Sequence, residues 1–154
     1  RIAALGNSAG GNLALMLATT TPADGLEPPD APAKGGTRVA CAIDLYGALD
    51  LPNYHDMKMF QHTREENPGI YRQASPVTYA SAGDAPMLIV HGTADETVDV
   101  SQARTMAAAL AKAGVEHQLE IVPEAPHTFY LVPKARDFRP LVFAFLDRHL
   151  QPRS

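Results

Sequence analysis

A glycine-rich turn between an apolar strand and a helix is the feature that most constrains how this chain can fold. Residues 1–5 form a short apolar run that predicts a strand, and residues 12–20 have the alanines and leucines of a helix. Between them, residues 6–11 (GNSAGG) form a G-x-S-x-G pattern. Glycines on either side of Ser8 permit a tight turn that places the serine hydroxyl at the helix N-terminus. The pattern predicts an exposed nucleophile; a phosphate-binding turn is the alternative interpretation.

Downstream of this turn, apolar runs alternate with helix-forming segments. The segment 101–113 predicts a helix, with Ser101 as its N-cap and Gly114 as its end. Continuous apolar runs such as VACAIDL are typical of buried parallel strands. Alternating strands and helices predict an α/β fold with three α/β/α layers and a mostly parallel sheet. The predicted strands are residues 1–5, 39–45, 87–90 and 118–122, and the predicted helices are residues 12–20, 101–113 and 140–150.

Composition excludes several classes of protein. The chain has 154 residues, of which 45% are hydrophobic and 19% charged, as expected for one globular domain. Its net charge of −4 provides no general basic field, so we expect no nucleic-acid partner. No apolar run approaches the roughly 20 residues of a membrane-spanning helix. The single cysteine, Cys41, leaves no internal disulfide and no cysteine-based metal cluster, and its apolar surroundings predict a buried position.

Two residues far along the chain, Asp95 and His127, are candidates to activate Ser8. A serine hydroxyl becomes a good nucleophile when a histidine, itself held by a carboxylate, takes its proton. Asp95 and His127 each follow a predicted strand by a short loop. Because the carboxyl ends of parallel strands share one edge of a sheet, we expect all three side chains to lie there. Glu96 and Asp99 are alternative acids on the same loop as Asp95.

Three motifs in this order, GNSAGG, HGTAD and PHTF, resemble the α/β-hydrolase superfamily. The resemblance covers nearly the whole chain. It is to the esterase/lipase branch that includes hormone-sensitive-lipase-like and acetyl-xylan-esterase-like carboxylesterases. It implies that Ser8 is the nucleophile, Asp95 the acid and His127 the base of a catalytic triad. It also implies that the backbone N–H of Ala9 contributes to the oxyanion hole, and that His91 is a structural residue.

The resemblance implies a serine hydrolase that cleaves carboxylic esters of short to medium acyl length through an acyl-enzyme intermediate. The expected partner is a small-molecule ester, and this chemistry requires neither a metal nor an organic cofactor. Two alternatives are a serine peptidase of the prolyl-oligopeptidase type and a non-catalytic α/β-hydrolase-like module.

The resemblance also implies that residues 1–154 are a single partial domain that begins at the strand before the nucleophile. The superfamily takes further oxyanion donors from an HGGG-type loop that precedes this strand, and the sequence contains no such loop. We therefore expect the N-terminal half of the fold to come from residues outside this sequence or from another chain. Without that half, residues 1–5 would form a hydrophobic edge strand.

Overall fold

The computed structural model describes residues 1–28, 38–129 and 136–151. Within them, four parallel strands form one sheet with helices on both faces, which confirms the predicted α/β class. The strands are β1 (Ala3–Asn7), β2 (Cys41–Leu45), β3 (Met87–Gly92) and β4 (His117–Val122), and the helices are α1 (Ala9–Thr19), α2 (Pro68–Gln73), α3 (Ser101–Ala113) and α4 (Arg139–Leu150).

The order of strands in the sheet is the order in the chain. β1 pairs with β2, β2 with β3 and β3 with β4, each time in parallel. Gly6 lies opposite Asp44, which lies opposite Ile89, and Gly92 at the end of β3 lies opposite Val122 at the end of β4. The carboxyl ends of all the strands therefore lie along one edge of the sheet.

Alternating side chains of the two central strands form two separate cores. Ile43 and Leu88 point to the face that packs against α4, whereas Met87 and Ile89 point to the face that packs against α1 and α3. Every residue of β2 and β3 is buried, as expected for strands covered on both faces. Cys41 is fully buried in the core beside α4, as its apolar surroundings predicted.

The helices differ in detail from the expectations. α1 begins at Ala9, directly after Ser8, and not at residue 12. The prediction of Ser101 as an N-cap is wrong: Ser101 is the first helical residue of α3, and its backbone N–H donates to the carboxylate of Asp99. Gly114 ends α3 with φ of 72°, a left-handed conformation that suits glycine. No helix in the described part of the chain is long and apolar enough to cross a bilayer.

β1 lies at an edge of the sheet and leaves apolar side chains in solvent. Ile2 is 74% exposed, and Leu5 on β1 is also exposed. The neighbouring outer face of α1 exposes Leu13, at 64%, and Leu17. These four side chains line a groove of about 410 Å³, and we refer to them as the β1–α1 surface.

Gly92, the last residue of β3, provides a test of how closely the loop after β4 approaches the sheet. A Cβ atom at Gly92 would lie 2.1 Å from the carbonyl oxygen of Ala125, and backbone atoms cannot yield as a flexible side chain can. We expect Gly92→Ala to lower the free energy of unfolding by about 1–3 kcal/mol. Urea unfolding should show a lower midpoint with an unchanged slope.

Gly69 in α2 is the matched control, because the nearest atom to its added Cβ is the Asn67 side chain at 3.4 Å. Gly69→Ala should leave the midpoint unchanged or raise it slightly, since alanine favours helix more than glycine does. Equal midpoints for Gly92→Ala and the wild type would contradict the close approach.

Candidate active site

Ser8 occupies a strained turn between β1 and α1. Its φ of 52° and ψ of −121° lie in a region that non-glycine residues rarely adopt, at a cost of about 1–3 kcal/mol. The turn is held by the Ser8 N–H, which donates to the Leu45 carbonyl at 2.8 Å. It is also very tight, because a Cβ at Gly6 would lie 2.0 Å from the carbonyl oxygen of Gly10. These constraints push the Ser8 side chain out beyond the carboxyl end of the sheet.

His127 contacts the Ser8 hydroxyl from the loop after β4. Its Nε2 lies 3.0 Å from Ser8 Oγ, although 119 residues separate the two in sequence. Its Nδ1 lies 2.7 Å from Asp95 Oδ2, on the loop after β3. Hydrogen bonds join the two loops: the Ala94 N–H donates to the Ala125 carbonyl, and the Glu124 N–H to the Thr93 hydroxyl. The structure thus brings together the three side chains that the sequence proposed for a triad.

The carboxylate of Asp95 is fully buried and receives several hydrogen bonds. The backbone N–H groups of Thr97 and Val98 donate to Oδ1 at 2.9 and 2.8 Å. Oδ2 faces His127 and also lies 3.3 Å from Nε2 of His91. Such donors offset the cost of removing a carboxylate from water.

The two alternative acids occupy other positions on the same loop. Asp99 binds the first backbone N–H of α3, and the bonds to Ser101 hold the pKa of Asp99 below its usual value. Glu96 is exposed to solvent. The geometry therefore favours Asp95 as the carboxylate that orients His127.

Tyr46 forms a side wall for the His127 ring. It follows β2 with φ of 50°, and its ring meets His127 edge-on with 4.8 Å between centroids. The Asn7 side-chain amide donates to the Tyr46 hydroxyl at 3.1 Å, and Phe129 packs on another side of the same ring. This contact was not predicted from the sequence; the position of Tyr46 directly after β2 was the available signal.

A second buried carboxyl, Asp44, lies beneath the nucleophile turn. Its side chain is fully buried on β2, and a Cβ at Gly11 in the first turn of α1 would lie 1.9 Å from Asp44 Oδ1. Burial raises the pKa of Asp44 well above its usual value, against a smaller opposing effect of the Gly47 backbone N–H. Burial thus disfavours the charged form of Asp44, whereas the Asp95 carboxylate is hydrogen-bonded from several sides. The sequence showed it only as the one polar residue in an apolar run.

An apolar cavity of about 310 Å³ opens beside Ser8. Ala9 and Leu13 of α1 form one wall, and the segment between β2 and α2 forms the other. That segment contributes aromatic and thioether side chains, namely Tyr54, Met57, Met59 and Phe60. Within the described residues, no group of three or more His, Cys, Asp or Glu side chains could hold a metal ion.

Ala9 follows Ser8 as the first residue of α1, at the end of the helix where backbone N–H groups lack acceptors within the helix. An oxyanion formed at a carbonyl attached to Ser8 would meet this positive end of the α1 dipole. The position of Ala9 is therefore compatible with the oxyanion role that the resemblance implied.

Comparison with known proteins links this geometry to esterases. The chain is 32% identical over 142 residues to the esterase LipQ of Mycobacterium tuberculosis, a match that covers 85% of this chain and 33% of LipQ. It is 34% identical over 154 residues to LipM of the same organism, a probable carboxylic ester hydrolase, covering 88% of this chain and 34% of LipM. The chain thus spans about a third of the length of these curated relatives.

A solved structure shows the same fold. The propionate-bound esterase Est2 of Thermogutta terrifontis superposes with a TM-score of 0.76 at 28% identity, covering 97% of this chain and 57% of Est2. The model of the BD-FAE family matches residues 1–110, a segment that includes Ser8, the cavity walls and Asp95. Together these findings confirm the resemblance to the esterase/lipase branch, and the chain belongs to the BD-FAE family, with an α/β-hydrolase fold.

Proposed function

We propose that this protein is a serine hydrolase that cleaves carboxylic esters through an acyl-enzyme intermediate on Ser8. The observation that carries the proposal is the continuous relay from Ser8 Oγ through His127, with contacts of 3.0 and 2.7 Å, to the buried Asp95. Relatives that are named esterases support ester hydrolysis. Because the chain spans only part of those relatives, the activity of the whole protein is a proposal.

In the first half of the reaction, His127 acts as the base. Asp95 accepts the Nδ1–H hydrogen bond, which leaves Nε2 of His127 as an acceptor for the Ser8 proton. As that proton moves to Nε2, Ser8 Oγ bonds to the ester carbonyl carbon and the carbonyl oxygen takes up the electron pair. The Ala9 N–H stabilises this oxyanion. His127 then returns the proton to the departing alcohol as its bond to carbon breaks.

In the second half, water takes the place of the alcohol. His127 removes a proton from the water, whose oxygen bonds to the acyl carbon and releases the carboxylic acid from Ser8. Asp95 stabilises the imidazolium in both halves without itself becoming protonated. The edge contact with Tyr46 keeps the His127 ring plane in place between the two steps.

The apolar cavity supports an ester substrate of modest size. Its volume of about 310 Å³ and its walls of Leu13, Met57 and Phe60 suit a short to medium acyl chain. We propose that the acyl group occupies this cavity, with the ester carbonyl at Ser8 and Ala9.

We also propose that residues 1–154 are one partial catalytic domain and that further residues, in the same chain or another, cover the β1–α1 surface. Support comes from the position of β1 at the edge of the sheet that the described residues form, and from the exposed Ile2 and Leu13 beside it. The match covers little more than half of Est2, at 57%, which leaves structure in that esterase for such a cover. The same residues would supply a second oxyanion donor.

Replacing Ser8 tests the proposed nucleophile. Ser8→Ala should lower kcat for a p-nitrophenyl ester by at least about 10³-fold, because removal of a triad nucleophile leaves only oxyanion and binding effects. An organophosphonate should add its mass to Ser8 in the wild type and should not add to the variant. Ser101→Ala is the control, since Ser101 is exposed on α3, and this variant should retain full activity and labelling.

Full activity in Ser8→Ala would refute the mechanism. A wild-type protein whose Ser8 resists the phosphonate would favour the non-catalytic module. If peptide amides were cleaved with a higher kcat/KM than acetyl or butyryl esters, the prolyl-oligopeptidase alternative would replace the esterase.

Filling the cavity tests the position of the acyl chain. Ala74 lines the cavity, and a leucine there would occupy the space of several methylene groups. We expect Ala74→Leu to lower kcat/KM at least tenfold more for an octanoyl ester than for an acetyl ester. The reason is that each methylene excluded from the cavity loses about 0.8 kcal/mol of binding free energy. Ala108→Leu on the exposed face of α3 should leave the ratio unchanged. An unchanged ratio in Ala74→Leu would place the acyl group elsewhere.

A charge on the β1–α1 surface tests whether that surface is covered. Leu17 is 51% exposed here, so Leu17→Arg on a bare surface would change stability by no more than about 0.5 kcal/mol. If other residues cover it, the unpaired charge should cost at least about 2 kcal/mol. We expect the larger loss of unfolding free energy when the purified protein is unfolded in urea. Ala108→Arg is the control, because Ala108 is exposed. A loss as small as that of the control would contradict the cover.

A further inference from the structure

We infer that His91 is a positioning residue for Asp95: its buried Nε2–H binds the Val98 carbonyl and so holds the loop that carries the carboxylate in line with His127. The inference rests on the proposed function, because it assigns a role within that relay. His91 lies on β3, and its side chain is fully buried. The resemblance alone implied no more than a structural histidine at this place.

The contacts of His91 define which nitrogen carries the proton. Nε2 lies 2.8 Å from the carbonyl oxygen of Val98, which can only accept, so Nε2 must carry the hydrogen. The same Nε2 lies 3.3 Å from Asp95 Oδ2, the oxygen that accepts from His127. This N–H donates to the Val98 carbonyl, and the carboxylate lies close enough to interact with it electrostatically.

These contacts close the loop that carries Asp95. Val98 donates its own N–H to Asp95 Oδ1 at 2.8 Å and accepts from His91 through its carbonyl. Thr97 donates a second backbone N–H to the same Oδ1. His91 therefore fixes the far end of a loop whose near end carries the carboxylate, and Oδ2 lies between the rings of His127 and His91.

The environment of His91 disfavours a positive charge on its ring. Burial has the largest effect and lowers the pKa of His91, whereas the hydrogen bond to the Val98 carbonyl and the charge of Asp95 raise it; His127 lowers it and Asp99 raises it to a smaller extent. A charged His91 would neutralise Asp95 and weaken its stabilisation of the His127 imidazolium. The uncharged ring that burial favours can hold the loop without cancelling the charge of Asp95.

The other ring nitrogen of His91 lowers the stability of the fold. Nδ1 of His91 is buried and has no hydrogen-bond partner among the described residues. A buried acceptor without a partner lowers stability, and an apolar ring of similar size would avoid that cost. The histidine is therefore explained by what its Nε2–H does, and not by filling the space.

Replacing the donor with a ring of similar shape tests the inference. His91→Phe should lower kcat for a p-nitrophenyl ester about tenfold and leave KM within about twofold, since the hydrogen bond that holds the Asp95 loop is lost away from the substrate. His91→Gln, whose amide can reach the same point, should restore most of the rate. His117→Phe is the matched control, because His117 on β4 also meets a backbone carbonyl, that of Val115. It should leave kcat unchanged.

The same substitution in an Asp95→Asn variant distinguishes a positioning role of His91 from a general effect on packing. In an Asp95→Asn protein the carboxylate is gone, so His91→Phe should cause no further loss in the rate of Ser8 labelling by a phosphonate. The same tenfold loss in both backgrounds, or no loss in the wild-type background, would overturn the inference. Should His91→Phe fail to fold by circular dichroism, His91→Leu and His91→Gln provide the comparison.

One readout is independent of hydrolysis. The His127 Nδ1–H bonded to Asp95 should give a proton resonance far downfield, which His91→Phe should shift or broaden and His117→Phe should not. If the wild type neither hydrolyses esters nor labels at Ser8 but this resonance depends on His91, the proposed function fails and the role of His91 stands. A resonance that is the same in His91→Phe and the wild type would overturn that role even in an active esterase.

Discussion

Parallel pairing of β1 through β4 is the constraint on which the rest of this structure depends. Because each strand runs in the same direction as its neighbours, the turn after β1 and the loops after β3 and β4 all emerge at one edge. That arrangement brings Ser8, Asp95 and His127 within hydrogen-bond distance from positions up to 119 residues apart. The strained conformation of Ser8 persists because its backbone is held by β2 through Leu45.

Two buried carboxyls near this edge illustrate how environment sets chemical state. Asp95 accepts hydrogen bonds from two backbone N–H groups and from His127, and the His91 ring lies 3.3 Å from Oδ2, so its negative charge is accommodated. Asp44 lies under the first turn of α1, and burial raises its pKa well above the usual value. The same residue type is therefore held as a hydrogen-bonded carboxylate beside His127 in one place, while burial disfavours its charged form in the other.

Much of the fold follows from local patterns. Continuous apolar runs predicted β2 and β3, which are buried along their whole length, and the stop signal at Gly114 marks the end of α3. The N-cap predicted at Ser101 was wrong because α3 begins one residue earlier than that prediction requires: Val100 is the N-cap and Ser101 is already helical, its own N–H bound by Asp99. Local preference favoured Ser101, since serine is a common N-cap residue and valine is not.

The sequence by itself determined the order of strands and helices and the strand-end positions of Ser8, Asp95 and His127, because hydrophobic periodicity and glycine placement are local properties. Only the tertiary structure decided which acid faces His127, that Tyr46 packs against its ring, and that the His91 ring lies beside Asp95 Oδ2. The tertiary structure also decided that the described residues leave Leu13 and Leu17 exposed. The physical reason is that these contacts join residues on different strands and loops, where distances of 3–5 Å depend on how the whole sheet packs.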